Sequence, residues 1–126
     1  MHLSYTEQES WALVEILIVF PLDNSKQIVY YCTVVKSFRC RETRKIFHRQ
    51  FSGKFPHDIQ QRAFMKLNAI DAATQLEDLG LPSSNRLEAL KGERKGQWSI
   101  RINDQWRICF EWRDGNAEEV EIVDYH

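Results

Sequence analysis

At 126 residues and 15.0 kDa, the chain has room for one core but not for two ordinary domains. Its 43% hydrophobic and 28% charged residues are the proportions of a soluble globular protein, and a formal charge of −1 is too mild to argue nucleic-acid binding from the total. The distribution says more: residues 1–34 carry Lys26 against Glu7, Glu9, Glu15 and Asp23, leaving a mildly basic remainder.

The apolar run Trp11 to Phe20 is about half of the roughly 20 residues a membrane span needs, and Glu15 interrupts it. Glu7 and Glu9 stand where a signal peptide would carry positive charge, so neither a leader nor a membrane partner is expected. Pro21 breaks the run, Asp23-Asn24-Ser25 reads as a turn, and Ile28 to Val35 reads as a strand. A hairpin, a helix followed by a strand, or an extension outside the functional domain all fit residues 1–34.

Val34 to Phe38 is strand-like. Arg41 to Phe51 suits a short amphipathic helix with Ile46, Phe47 and Phe51 on one side and Arg44, Lys45 and Arg49 elsewhere. The basic group of Arg41, Arg44, Lys45 and Arg49 reads first as a solvated helix face, with a ribosomal RNA contact as its sharper alternative. Pro56-His57-Asp58 opens a longer helix in which Ile59, Ala63, Leu67 and Ile70, then Ala73 and Leu76, recur at helical spacing. It is expected to end near Gly80-Leu81-Pro82. His48 and His57 are read as structural.

From Leu87 the period becomes two, predicting strands at 87–90, 97–103, 106–112 and 117–123. Trp98, Ile100 and Ile102, then Trp106, Ile108, Phe110 and Trp112, share the apolar face. Arg101 and Arg107 fall on the polar one, so both can lie on one side of a hairpin whose other side is core. Between Leu90 and Arg107, five of eighteen residues are basic: Lys91, Arg94, Lys95, Arg101 and Arg107. With the closing Asp124-Tyr125-His126, these are the parts of a site for a phosphodiester. The parity of the tail stays open, because Tyr125 goes with Val123 while Asp124 and His126 go with Ile122. The order of elements predicts a compact α+β domain, two helices packed on a small, mainly antiparallel sheet.

Cys32, Cys40 and Cys109 are odd in number and form no C-x-x-C pair, which argues for small buried or half-buried thiols in a reducing, cytoplasmic setting. No H-E-x-x-H, Cys/His cluster or carboxylate pair suggests a metal, so none is expected, nor any other cofactor.

With these residues in view, residues 35–126 are similar to the HigB family of toxin–antitoxin toxins, within the RelE/ParE superfamily. The resemblance rests on Val35-Lys-Ser-Phe38, Leu67-x-x-Ile70-Asp71, Leu87-x-x-Leu90-Lys91-Gly92, Gly96-Gln-Trp98-Ser99-Ile100, Asn103-x-x-Trp106-Arg107-Ile108 and Asp124-Tyr125-His126. These stretches come in order and span about three quarters of the chain. Such domains usually begin at the position of Val35, so a mis-called start is the leading reading of residues 1–34 and a genuine extension the alternative.

The resemblance implies a RelE-like domain that cuts messenger RNA on the ribosome. It also implies a helix-turn-helix antitoxin, HigA, that silences the toxin and through which the complex would touch operator DNA indirectly. Lys91, Arg101, Arg107 and His126 would carry the family's functional roles, with Asp124 and Tyr125 in support. Arg94 and Lys95, both in the basic turn Gly-Glu-Arg-Lys-Gly, compete for a phosphate contact there.

The chemistry suits those residue types. RNA can be cleaved without metal when its own 2′-hydroxyl attacks the adjacent phosphate. One group must then take a proton, another must protonate the leaving 5′-oxygen, and cations must stabilise the added charge on phosphorus. Histidine exchanges protons near neutral pH, and arginine offers phosphate a planar fork. Two rivals remain: a ParE-like protein-binding inhibitor of DNA gyrase, which has no need of the Lys91/Arg101/Arg107/His126 set, and an inactive partner whose basic face residues 1–34 cover.

Overall fold

The computed structural model describes residues 33–125. The apolar run 11–20, the expected strand from Ile28 as far as Cys32, and His126 lie outside the described residues. Two helices, α1 (Arg41–Phe47) and α2 (His57–Ala72), precede four strands: β1 (Glu88–Ala89), β2 (Gln97–Arg101), β3 (Trp106–Arg113) and β4 (Asn116–Asp124). The strands form one antiparallel sheet in the order β1-β2-β3-β4. This is the expected α+β arrangement. Among the described residues no helix is long and apolar enough to cross a membrane.

Helix α2 forms because Ile59, Ala63, Leu67 and Ile70 make a single apolar stripe, and all four are buried. They pack with Ile46 of α1 against Ile100, Ile108, Phe110, Ala117, Val120 and Ile122 of the sheet. Burying each large aliphatic side chain contributes about 1.5–3 kcal/mol, so Leu67→Ala alone would cost roughly 2–5 kcal/mol.

Both helices end earlier than periodicity predicts. In α1, Arg49 takes a left-handed conformation (φ 64°), with Gln50 N donating to Lys45 O and Arg49 N to Ile46 O. That pair of bonds closes the helix as a Schellman turn, and Phe51, expected on its apolar side, is exposed. In α2 the Asp78 carboxylate accepts hydrogen bonds from Thr74 N, Thr74 Oγ1 and Gln75 N. Those contacts start a separate 3-10 turn, Leu76–Gly80, so the chain leaves the α-helix at Ala73 rather than near Gly80.

The outer edge of β4 is sealed by the segment before α1. Val35 and Phe38 bridge Ala117 and Val120 in parallel, and Thr43 Oγ1 takes the N–H of Ile122 beyond them. The segment is anchored at its start by Asp71 at the end of α2, whose Oδ1 accepts from Val34 N and Val35 N, each at 2.9 Å.

A bulge in β4 sets the sheet's polar face. Cys109 pairs with Glu121 but Glu111 with Glu118, so β4 carries one extra residue, and Glu119 there has φ 54°. The insertion lets both Ala117 and Val120 face the core despite opposite parity, and it answers the open question of the tail. Val123 pairs with Arg107, so Glu121, Val123 and Tyr125 share the face that carries Arg107.

Candidate active site

Alternation along β2 and β3 puts Ser99, Arg101, Arg107 and Cys109 on the sheet face turned away from the helices, with Arg101 directly opposite Arg107 in register. Asn103 builds the connection between the strands. Its Oδ1 accepts from Gln105 N and Trp106 N, both at 2.8 Å, an Asx turn that explains an asparagine three residues before Trp106.

Arg107 is buried. Its Nε donates to Ser99 Oγ at 2.8 Å, and its Nη2 donates to the Arg86 carbonyl and to Ser99 O. Every one of these acceptors is a neutral oxygen, and among the described residues no carboxylate lies within ion-pair distance of Arg107. The guanidinium is therefore aimed without being neutralised, with the donors of Nη1 left over. The ring of Tyr125 lies 5.5 Å from Arg107 Cζ, close enough for a cation–π contact.

The tail is held by Gln105, a residue sequence reasoning passed over. Tyr125 N donates to Gln105 O at 2.6 Å, and Gln105 Nε2 donates to Asp124 Oδ2 at 3.0 Å. Asp124 faces Trp106 in the ladder and so does not share the face of Arg107, whereas Tyr125 does. The structure thus brings Arg107 and Tyr125 together and puts Asp124 at the strand end beside them; His126 lies outside the described residues.

The basic turn divides its labour. Arg94 Nη1 donates to Gln97 Oε1 and to Glu121 Oε2, each at 3.0 Å. Burial works against the charge of Arg94, but the Glu121 hydrogen bond and neighbouring negative groups outweigh it and carry the guanidinium above its ordinary pKa. Arg94 is thereby committed to β4, while Lys91 and Lys95, on either side of the 3-10 turn Gly92–Arg94, are exposed. Arg101 pairs with Asp104 across the hairpin turn.

Further groups on this face were not anticipated. Ser99 is buried and serves as the rest for Arg107; its parity with Arg107 was visible, its contact was not. Glu88 pairs with Ser99 in the β1–β2 ladder and adds a carboxylate to the same row. Cys109 is fully buried beneath Arg94 and Arg107, and loss of solvent pushes its thiol up to about 11, against the partial pull of Arg94. The half-buried Cys40 and buried Cys109 fit the small buried or half-buried thiols read from the sequence.

Residues 36–126 match the family model described as "RelE-like toxin of type II toxin-antitoxin system HigB". The chain is 33% identical over 93 residues to the protein named Endoribonuclease HigB of Proteus vulgaris, covering 74% of this chain and all of that one. It is 47% identical over 62 residues to Toxin HigB-1 of Vibrio cholerae serotype O1, across 49% of this chain and 65% of that protein. An uncharacterised protein of Haemophilus influenzae is 28% identical over 67 residues, across 53% of this chain and 66% of its own.

Proposed function

Because the chain belongs to the HigB-like family of RelE-like type II toxins, we propose that it is an endoribonuclease that cuts messenger RNA and is neutralised by an antitoxin partner. The observation that carries this reading is Arg107: a buried guanidinium oriented only by neutral oxygens, backed by Tyr125, on the sheet face it shares with Arg101. A structural arginine in the 3-10 turn before β2, Arg94, is matched to a carboxylate instead. A charge held in place but left uncompensated suits an anion that arrives, or grows more negative, during reaction.

In this mechanism the 2′-hydroxyl attacks the adjacent phosphate, and Arg107 and Arg101 stabilise the charge gathering on its oxygens. Lys91 and His126 exchange the two protons, with Tyr125 offering its ring to a base. Glu88 supplies a further acceptor on the same face. Lys95, unlike Arg94, is free to follow the strand's backbone. The setting is cytoplasmic, the ribosome presents the translated strand, and the antitoxin is a HigA-like helix-turn-helix protein through which the complex meets operator DNA. The toxin domain begins close to residue 35, a reading supported by a family match that starts at residue 36, with Val34 already tied to it through Asp71.

Primer-extension mapping of transcripts after brief induction tests the reading. Cuts inside translated frames that vanish in Arg107→Ala and in a form lacking His126 are the expected outcome. Growth arrest with intact transcripts would overturn it in favour of a gyrase-binding toxin. A shortened form beginning at position 35 should be as toxic as the full chain; greater toxicity would mean that residues 1–34 mask the site.

A further inference from the structure

Beside the sheet, a second basic surface opens. An open groove of about 820 Å³ runs between α2 and the segment Leu81–Asn85, and Arg62, Lys66 and Arg101 converge on it. Arg62 Nη1 donates to the Ile102 carbonyl at 3.2 Å, and Lys66 Nζ donates to Asn85 Oδ1. Asn85 is buried and is itself fixed, its Nδ2 donating to Leu79 O and Leu81 O. Among the described residues neither Arg62 nor Lys66 has a carboxylate within ion-pair distance. Arg101 has Asp104, but that carboxylate is almost fully exposed, and such pairs exchange readily for a better anion.

The lysine registers the imbalance. Burial first, then the positive charges of Arg62 and Arg101, pull the pKa of Lys66 below its ordinary value. Asp58 is the one acid lining the groove, against three cations. This repeats the pattern at Arg107, where neutral oxygens orient a cation and leave its charge to be answered from outside.

We infer that the groove of Arg62, Lys66 and Arg101 is a second phosphate subsite, holding the backbone of the same RNA strand on one side of the phosphate addressed by Arg107. The inference rests on the nuclease reading. Continuity favours RNA over an acidic protein. Arg101 is the cross-strand partner of Arg107, and consecutive residues Asn85 and Arg86 hold Lys66 and Arg107 respectively, so a strand leaving one cation meets the next. Met65 and Leu81 are exposed at the groove and offer apolar contact to a base.

The test uses the full chain and a 2′-O-methyl RNA dodecamer, which binds but lacks the attacking hydroxyl. Affinity is measured across a salt series for the wild type and for Arg62→Gln/Lys66→Gln, a pair that removes both charges while keeping polar side chains of good helix propensity. Weakened binding is expected, with the slope of log K against log salt shallower by about 0.7 to 1.4, the contribution of one or two single-strand phosphate contacts. Melting temperature and transcript mapping run alongside.

No measurable binding by the wild type at low salt, or an unchanged affinity and slope in the double variant, would overturn the inference even while wild-type transcript cutting stood. Unchanged RNA binding with lost affinity for polyglutamate would reassign the groove to an acidic protein, overturning it too. A shallower slope in a chain that cuts no transcript would keep the subsite and remove the nuclease.

Discussion

Arg101 and Arg107 face one another across the β2–β3 ladder, yet one guanidinium is buried on a serine and a carbonyl while the other reaches the surface beside Asp104. Their substitution should therefore separate stability from activity. Arg107→Ala strands the buried Ser99 hydroxyl, a loss of about 1–3 kcal/mol, and should lower cleavage by roughly 10²–10³-fold as a charge-stabilising donor disappears. Arg101→Ala should change stability by less than about 0.5 kcal/mol while still lowering cleavage. Urea unfolding beside a cleavage assay checks both, and equal destabilisation by the two variants would contradict the assignment.

Tyr125 tests the tail. Its ring faces Arg107, so Tyr125→Ala should remove a contact worth about 0.5–1 kcal/mol at so exposed a position. Tyr125→Phe keeps the ring and should melt like the wild type. If Tyr125→Phe cuts RNA normally, the ring rather than the hydroxyl is what the site uses.

Cys109 makes the fold sensitive to alkali. Its thiol is raised to about 11 because the fold excludes water around it. The folded protein therefore keeps the proton while the unfolded chain gives it up from pH ~9. The stability tied to this thiol is complete below about pH 9 and is lost as pH climbs towards 11. Denaturant midpoints between pH 8 and 10.5 should fall less steeply in Cys109→Ala, and alkylation at pH 8 should label Cys40 before Cys109.

Asp71 binds the end of α2 to the edge segment. Asp71→Ala leaves the N–H groups of Val34 and Val35 without their acceptor, at a cost of about 1–3 kcal/mol. Hydrogen exchange at Val34 and Val35 should speed up while exchange in β2 and β3 is unchanged.

The periodic parts of this fold were legible in the sequence. The stripe Ile59, Ala63, Leu67 and Ile70 marks α2, and alternation marks β2 and β3, because each pattern is local and its period is set by backbone geometry. What escaped was decided by individual side-chain contacts, near and far along the chain, that leave no period in the sequence. Asp78 ends α2 by drawing Thr74 and Gln75 away. Glu119 adds a residue to β4 and thereby chooses the face of Tyr125. The pairing of Arg94 with Glu121, far along the chain, likewise carries no signal in the sequence. The groove was half visible: Arg62 and Lys66 stand four apart on one helix, but Asn85, the residue that aims Lys66, carries no signal of that role.

The segment between the 3-10 turn and β1 behaves less like a loop than like a ruler. Surface connections usually absorb insertions and deletions with little harm. Here Asn85 positions one cation through its side chain and Arg86 the next through its carbonyl, so adding or removing a single residue would shift both grips along the chain. The spacing of positive charge along the protein is thus written into the length of a short connection, and functional variants should keep that length even where its residues change.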